Sequence, residues 1–309
     1  MDNYMTTGRV QLMAAILLFA AFQVVSAEMV LVGGATGRQG NAVLKELLSR
    51  GYEVRCLTRK PEGKKAQRIA GECTEIVQGN YGDPASLDAA MQGLDKVFFY
   101  SGFSMHEVAE GKHVIDAARK NDIEHLVYTS GAASEPGKGL DDSAKTQVEL
   151  ALLSSGVPYT VLRPVAFMEN FDRQQKRTLE KGIFDSRAPD RFVPFISIAD
   201  IGFFVAEAFD HPDEWVNKGV NIASDIMTVG EYVDTYSRVM GTEVIYHQLP
   251  LDEYLQMFPK PLRPLFRWYE EVGYETEVTN LRTLKSRYTN LTSLEQYLRA
   301  TGWENYAIQ

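Results

Sequence analysis

From Met29 onward, short runs of β-branched and aromatic residues alternate with longer segments whose apolar residues recur at helical spacing. The strand-like runs are residues 29–32, 53–57, 74–77, 96–100, 125–129 and 159–162. Between the first two lies 41–50, where Val43, Leu44, Leu47 and Leu48 share one face and Gly51 supplies a stop. Asp83-Pro84 reads as the N-cap and first helical position of Pro84–Met91. Residues 106–120 and 144–154 continue the alternation. Strands and helices joined by short turns predict a parallel sheet covered on both faces, a doubly wound α/β fold of the Rossmann type.

Beyond residue 162 the rhythm loosens. The spacing predicts a helix over 167–182, a loop over 187–195 with Pro189 and Pro194, and a helix over 198–209 with Ala199-Asp200 near its start. A short strand at 220–222, a helix at Val229–Met240 and a strand at 244–247 follow. The last 60 or so residues are rich in aromatics: Tyr254, Phe258, Phe266, Trp268, Tyr269 and Tyr274. Their spacing suits the core of a small lobe better than the wall of a substrate cavity. The expected organisation is a cofactor domain over 29–163, then a smaller C-terminal α/β substrate lobe over most of 164–309. Within that second part, 192–223 is expected to return to the first domain.

The first 28 residues stand apart. Residues 10–25 carry no charge, and Val25-Ser26-Ala27 forms a small-residue, cleavage-like ending. The length suits a secretory signal better than a spanning helix, which needs about 20 apolar residues. Asp2 offsets Arg9, so the positive flank is poor, and no twin-arginine pair is present. An over-extended start ahead of Met29 is the other reading. Export or membrane association follows from the first reading, a cytoplasmic location from the second.

Composition narrows the picture only slightly. The 309 residues are 45% hydrophobic and 24% charged, an ordinary globular balance. A net charge of −9 argues against direct nucleic-acid binding, which needs a basic footprint. Two cysteines, Cys56 and Cys73, cannot build a disulfide framework, have no metal-ligand spacing and read as structural. His106, His113, His125, His211 and His247 are scattered and read as surface or capping residues, with His113 alone placed to approach the cleft.

The chemistry is concentrated in Gly34-Ala35-Thr36-Gly37-Arg38-Gln39-Gly40, directly between the first strand and the first helix. Gly34 permits a tight turn, Gly37 lets the backbone approach a pyrophosphate, and Gly40 lets helix and strand pack closely. The helix start then offers free N–H groups and a positive dipole end. Some 20 residues on, a site for NAD carries an acid against the ribose hydroxyls, whereas a 2′-phosphate needs positive charge. Here the second strand ends Leu57-Thr58-Arg59-Lys60, followed by Lys64-Lys65, with no acid. Arg59 offers a forked donor set, Thr58 a hydroxyl and Lys64 a further cation, and Arg38 is placed to reach the same phosphate. The cofactor expected is NADP(H); a solvated basic turn is the plain alternative.

GATGRQG, the strand ending LTRKP, the segment VQGNYGDPASL and the later VPFISIADIG resemble the NmrA-like branch of the atypical short-chain dehydrogenases/reductases. The resemblance runs from Met29 to about Trp303. It implies either an NADPH-dependent reductase of quinone-like or other conjugated small molecules, or a protein that senses NADP(H) and binds a protein partner. On this basis Gly34, Gly37, Arg38, Gln39 and Gly40 match the pyrophosphate loop and Arg59 the 2′-phosphate contact. Asn80 and Tyr81 fall where the family has an acidic residue beside the adenine, so Asn80 is a departure. Tyr100, Ser101 and Gly102 lie over the ribose. Ser130 stands nearest the nicotinamide, Lys145 holds its ribose, and Pro164, Val165, Phe167 and Asn170 flank the ring. The plain alternative for Lys145 is a solvated helix residue.

The resemblance breaks at one position. The wider superfamily uses Tyr-x-x-x-Lys, where the lysine lowers the phenol pKa for proton delivery to a carbonyl. Four residues before Lys145 stands Asp141, an ionised and poor proton donor. That loss is usual in the NmrA-like branch. A quinone accepts hydride to give a stabilised anion that solvent can protonate, which leaves Lys145, Ser130 and Asn170 as the candidate catalytic residues.

Overall fold

The computed structural model describes residues 28–102, 104–273 and 277–305. The apolar runs of the first half form strands and the amphipathic segments form helices. In chain order these are β1 (Met29–Gly33), α1 (Arg38–Ser49), β2 (Glu53–Thr58), α2 (Lys64–Gln67), β3 (Glu75–Gln78), α3 (Pro84–Met91), β4 (Lys96–Tyr100), α4 (Glu107–Lys120), β5 (His125–Thr129), α5 (Ala144–Leu153) and β6 (Tyr159–Pro164). The second half runs β7 (Ala166–Phe167), α6 (Gln175–Lys181), β8 (Ile183–Asp185), β9 (Phe192–Ile196), α7 (Ile198–Asp210), α8 (Pro212–Trp215), β10 (Lys218–Ile222), β11 (Asp225–Thr228) and α9 (Val229–Met240). It ends with β12 (Tyr246–Gln248), α10 (Leu251–Gln256), α11 (Arg263–Glu271), α12 (Val278–Arg287) and α13 (Leu294–Ala300).

Seven strands form one parallel sheet in the order β10-β6-β5-β4-β1-β2-β3, as expected for a doubly wound Rossmann fold. The order reverses between β1 and β4, so a crevice opens there at the carboxyl edge of the sheet. One face is covered by α1 and α7, whose Val43, Leu44, Leu47, Ile201, Phe204 and Val205 are fully buried against Val30, Val32 and Phe98. The other face buries Leu31, Val97, Phe99 and Tyr128 under α3, α4 and α5. Asp83 caps α3 through its side chain, as its position before Pro84 predicts.

A second layer lies beyond β6. β9 pairs antiparallel with β11 and parallel with β7, and β12 pairs with β8. Its core gathers Met168, Phe195, Tyr232, Tyr236, Leu298 and Trp303. After β9 the chain turns back, so that α7 covers α1 and β10 extends the parallel sheet beside β6.

Several expectations need correction. Residues 167–182 do not form one helix: Ala166-Phe167 gain a strand partner in β9, a 3₁₀ turn takes Met168–Phe171, and only Gln175–Lys181 is helical. The loop expected over 187–195 gives way to strand β9 at Phe192, because β11 pairs with residues 192–195, while β7 pairs only with Phe195 and Ile196. Pro194, which lacks an N–H, therefore stands where β9 has β11 alone as neighbour. α1 begins three residues earlier than the apolar spacing predicts, inside the glycine loop itself. The two cysteines are joined: buried Cys56 in β2 and Cys73, just ahead of β3, form a disulfide with a Cα–Cα distance of 5.9 Å. The signal-like segment and Tyr274 lie outside the described residues. Among the described residues, no helix is long and apolar enough to cross a membrane.

Candidate functional site at the carboxyl edge of the sheet

Gly34 follows β1 with φ +65°, a left-handed turn that a side chain would strain. It lets the Gly37 amide donate to the Gly34 carbonyl at 2.8 Å. α1 then starts with no side-chain cap and no acid in its first turn. The first intrahelical bond comes from Asn41 N to Gly37 O at 2.9 Å, which leaves the amides of Arg38, Gln39 and Gly40 to point outward as donors. A side chain at Gly40 would stand 2.6 Å from the Gly34 carbonyl carbon and 2.9 Å from Ala35 Cα, so helix and turn meet only because Gly40 has none. The Tyr100 ring packs on Gly34 and its hydroxyl donates to the Gly34 carbonyl at 3.4 Å. Gln39 Oε1 is buried without a donor, a costly state that a bound hydroxyl or amide relieves. Thr36 sits half-buried in the loop. Uncapped amides, no competing carboxylate and an orphaned acceptor fit a pyrophosphate-linked ligand.

Thr58, half-buried, ends β2, and its Oγ1 accepts from the Lys60 amide at 3.4 Å. Arg59, Lys60, Lys64 and Lys65 are all exposed beside it. Arg38 does not join them. It extends the other way, donating to the Glu169 carbonyl at 3.3 Å and standing 3.9 Å from Asp172, because the first turn of α1 faces the Met168–Phe171 turn. Asn80 is exposed and its Oδ1 closes a turn by accepting from Gly82 N at 3.1 Å. Tyr81 turns inward instead of toward an adenine: its hydroxyl is buried under Gly33, and its ring meets Phe99 edge-on. His113 Nδ1 donates to the Tyr81 carbonyl at 2.9 Å and so supports that turn rather than facing the cleft.

Beyond the switch point two buried polar networks lie side by side. In the first, Ser101 donates to Glu107 at 2.6 Å, and Tyr128 donates to Ser101 at 2.8 Å, since the one serine proton is already committed to the carboxylate. Lys145 Nζ donates to Glu107 at 2.9 Å and to both the carbonyl and hydroxyl oxygens of Ser101 at 3.1 Å. Ser101 thus faces inward and does not lie over a ribose. Gly102 follows it, exposed. In the second network, Ser130 donates to Glu149, which also holds Arg163 through Nε at 3.0 Å and Nη2 at 2.8 Å. Burial pushes the Glu149 carboxyl above its ordinary range, against the pull of Arg163. Asp141 is apart from both; it accepts from the Gly137 amide at 2.6 Å in the preceding loop.

Glu107, Tyr128, Glu149 and Arg163 were not singled out in the sequence. The one available signal was Glu149, four residues after Lys145 on the same helix and hence on the same face. His125 is likewise a correction: it is buried, not a surface or capping residue. Its Nε2 lies 2.8 Å from Thr160 Oγ1, whose own proton goes to the Trp215 carbonyl, so His125 is the donor.

Pro164 and Val165 are buried at the end of β6, Phe167 is half-buried in β7, and Asn170 is exposed in the turn that follows. Across from them, α11 is tied down by Trp268 Nε1 donating to the Lys138 carbonyl at 2.5 Å, and by Arg187 3.4 Å from Glu270. Tyr254, Phe258, Phe266 and Tyr269 pack on one another, with Phe258 and Phe266 stacked at 3.5 Å; Tyr254 is buried and the other three are half-buried, apart from the lobe core of Tyr232, Tyr236 and Trp303. A surface depression of about 620 Å³ between α10 and α11 is lined by Asp252, Lys260, Arg263 and Arg267 among others and shares no residue with the networks. Among the described residues, no group of three His, Cys, Asp or Glu could hold a metal ion.

The sequence matches the NmrA-like family model over residues 26–300. A curated relative, the (4-alkanoyl-5-oxo-2,5-dihydrofuran-3-yl)methyl phosphate reductase of Streptomyces griseus, is 30% identical over 244 residues, covering 77% of this chain and 84% of its own. Quinone oxidoreductase 2 of Escherichia coli is 28% identical over 227 residues, covering 72% and 78%. Among solved structures, the NADPH complex of an Escherichia coli NADPH-dependent quinone oxidoreductase superposes with a TM-score of 0.75 at 23% identity, over 88% of this chain and 99% of the other.

Proposed function

The chain belongs to the NmrA-like family, and from that premise we propose that it is a reductase that binds NADPH and acts on a small, flat, conjugated acceptor such as a quinone. The observation that carries this reading is the uncapped start of α1 at the switch point, with Thr58 and Arg59 at the end of the neighbouring strand and Lys64 opening α2. The names of the relatives, a furanone phosphate reductase and a quinone oxidoreductase, support the reaction class.

The residues divide the work as follows. The amides of Arg38, Gln39 and Gly40, within the turn of Gly34, Thr36 and Gly37, hold the pyrophosphate. Arg59, Lys64 and Thr58 hold the 2′-phosphate, and Asn80, Tyr100 and Gly102 bound the adenosine side, with Tyr81 buried beneath Gly33 as support for the turn. Lys145 holds the nicotinamide ribose, kept in place by Glu107 and Ser101. The Ser130 hydroxyl donates its hydrogen bond to Glu149, so its oxygen is left to accept, and it reads the amino group of the carboxamide. Pro164, Val165, Phe167 and Asn170 flank the ring and keep water from it. When bound, the reduced nicotinamide supplies the hydride. With Asp141 in place of a tyrosine, the chain offers no phenol at that position, which suits an acceptor whose reduced anion takes its proton from water. The cofactor unit comprises 29–163 with α7 and β10, and the remainder forms the substrate lobe.

The second reading, a sensor whose NADP(H) occupancy controls binding of a protein partner, draws on the same departure at Asp141. Titration of the protein with NADPH, followed by a quinone panel while the nicotinamide absorbance is recorded, separates the two. Quinone-dependent loss of the band is expected. Tight binding without turnover on any acceptor would move the assignment to the sensor, and no NADPH binding would end both.

A further inference from the structure

The link between β2 and β3 is built unlike the other crossovers of the sheet. The segments joining the remaining strands up to β6 carry helices of 12, 8, 14 and 10 residues, whereas 59–74 contains only the four-residue α2. Within that segment Ala66 and Ile69 are the only buried side chains among the described residues. Backbone bonds pin its two ends, from Gly79 N to Thr58 O at 3.0 Å and from Thr74 N to Val54 O at 2.9 Å. Between those ends stand five exposed cations, Arg59, Lys60, Lys64, Lys65 and Arg68. The Cys56–Cys73 disulfide, with a sequence separation of 17, closes a ring around all five.

We infer that this disulfide is a specificity-determining element: it holds the cation-bearing segment in register with Thr58, and preference for NADPH over NADH depends on it. The inference rests on the cofactor assignment above. The physical reason is the entropy of ordering. A segment with two buried side chains and one turn of helix gains freedom when the cross-link opens, and a ligand that needs Arg59 and Lys64 must then restrict it again on binding. NADH makes no demand on those side chains. Its pyrophosphate meets the first turn of α1, a helix that shares a core with Cys56 and Cys73 but is held chiefly by its packing on α7. Opening the cross-link breaks the Sγ–Sγ bond. A water-soluble phosphine supplies the two electrons and leaves as its oxide, water supplies the oxygen and two protons, and each sulfur ends as a thiol. Cys73 is half-buried and gives the reductant its approach.

The test uses the full chain in three states: as purified in air, after treatment with the phosphine, and as the Cys56→Ala/Cys73→Ala double variant. Thiols are counted under denaturing conditions, dissociation constants are measured for NADPH and NADH, and amide exchange is followed across 59–72 without cofactor. In the linked protein no thiol is expected. Without the link, NADPH should weaken about tenfold, roughly the loss of one charge-assisted contact, while NADH changes less than about twofold. Exchange across 59–72 should quicken while that of α1 stays unchanged. Two free thiols in the air-purified protein overturn the inference, as does an unchanged NADPH affinity. Equal weakening of both cofactors also overturns it, since the link would then serve the fold alone. A linked protein that shows no NADPH preference refutes the cofactor assignment itself and the inference with it.

Discussion

Replacing Gly40 with alanine tests the cofactor loop most directly, because the space at that position is defined by backbone. The new Cβ would stand 2.6 Å from the Gly34 carbonyl carbon and 2.9 Å from Ala35 Cα, against an ordinary contact of 3.4 Å or more. The shortfall is at least about 0.8 Å, since the Gly34 carbonyl oxygen stands closer still, and none of these neighbours is a side chain able to swing away. Overpacking of that kind costs about 3 kcal/mol, offset by about 1 kcal/mol from the better helix propensity of alanine. The net loss of about 2 kcal/mol lowers Tm by roughly 4–8 °C for a chain of this size. The larger effect falls on binding. Moving the start of α1 by most of an ångström misaligns the amides of Arg38, Gln39 and Gly40, and each charge-assisted bond is worth about 1.5–3 kcal/mol. NADPH and NADH should both weaken by about 10- to 100-fold, measured by fluorescence titration below the shifted Tm. Gly37→Ala is the control. Its Cβ overlaps chiefly the far end of the Tyr100 side chain, which can rotate, and otherwise stands 3.2 Å from the Gly34 carbonyl oxygen, so the stability loss should stay near about 1 kcal/mol, below that of Gly40→Ala, while binding falls. If Gly40→Ala melts like the parent and binds both cofactors as well, the assignment of this loop is refuted.

Three further outcomes follow. Arg59→Gln should weaken NADPH by about 1.5–3 kcal/mol and leave NADH within a factor of about two, since only the 2′-phosphate reaches that guanidinium; equal effects on both would show that the basic turn is merely solvated. Lys145→Met leaves the buried Glu107 carboxylate with Ser101 alone and should cost about 3 kcal/mol in denaturant unfolding. The Lys145→Met/Glu107→Gln double variant should recover part of that loss, and strict additivity would show that the pair is not coupled. His125, whose Nδ1 has no partner, is held neutral down to about 4 by burial and the nearby Lys96 charge. Its folded pKa lies below the unfolded value, so its contribution is complete above pH about 6.5 and is lost as pH falls toward 4, by up to about 3 kcal/mol. His125→Gln should flatten stability against pH across that window, and a parent-like slope would assign the loss to other groups.

The first half of the molecule was legible because each of its elements answers to a local signal. Val43, Leu44 and Leu47 share a helical face, Asp83-Pro84 marks a start, and the glycine triplet marks the turn between strand and helix. The second half was read less well because its signals are contextual. Residues 167–182 keep a helical spacing of apolar side chains, yet Ala166-Phe167 are drawn into pairing by β9, more than 25 residues away. The inward turn of Tyr81 and the reach of Arg38 toward Glu169 depend on what lies across the cleft, which no periodicity encodes. The disulfide was missed for a similar reason: only the parallel pairing of β2 with β3 brings Cys73 beside Cys56. At the candidate site, the sequence pointed to Ser130 and Lys145 but not to the carboxylates that hold them. Buried acids such as Glu107 and Glu149 look like ordinary surface-helix residues until the packing is known.

The return of the chain from β9 through α7 to β10 also sets the order in which the molecule can be made. During synthesis β1, the glycine loop and α1 emerge early, and β2 to β6 follow, but one sheet face stays half bare until Ile198–Asp210 has been added. A ribosome paused after β6 would hold a sheet with Val30, Val32 and Phe98 only partly shielded, a surface prone to sticking to its neighbours. The helix that the cofactor loop leads into, α1, thus waits for a partner about 150 residues further along the chain, and contacts of that sequence separation slow folding.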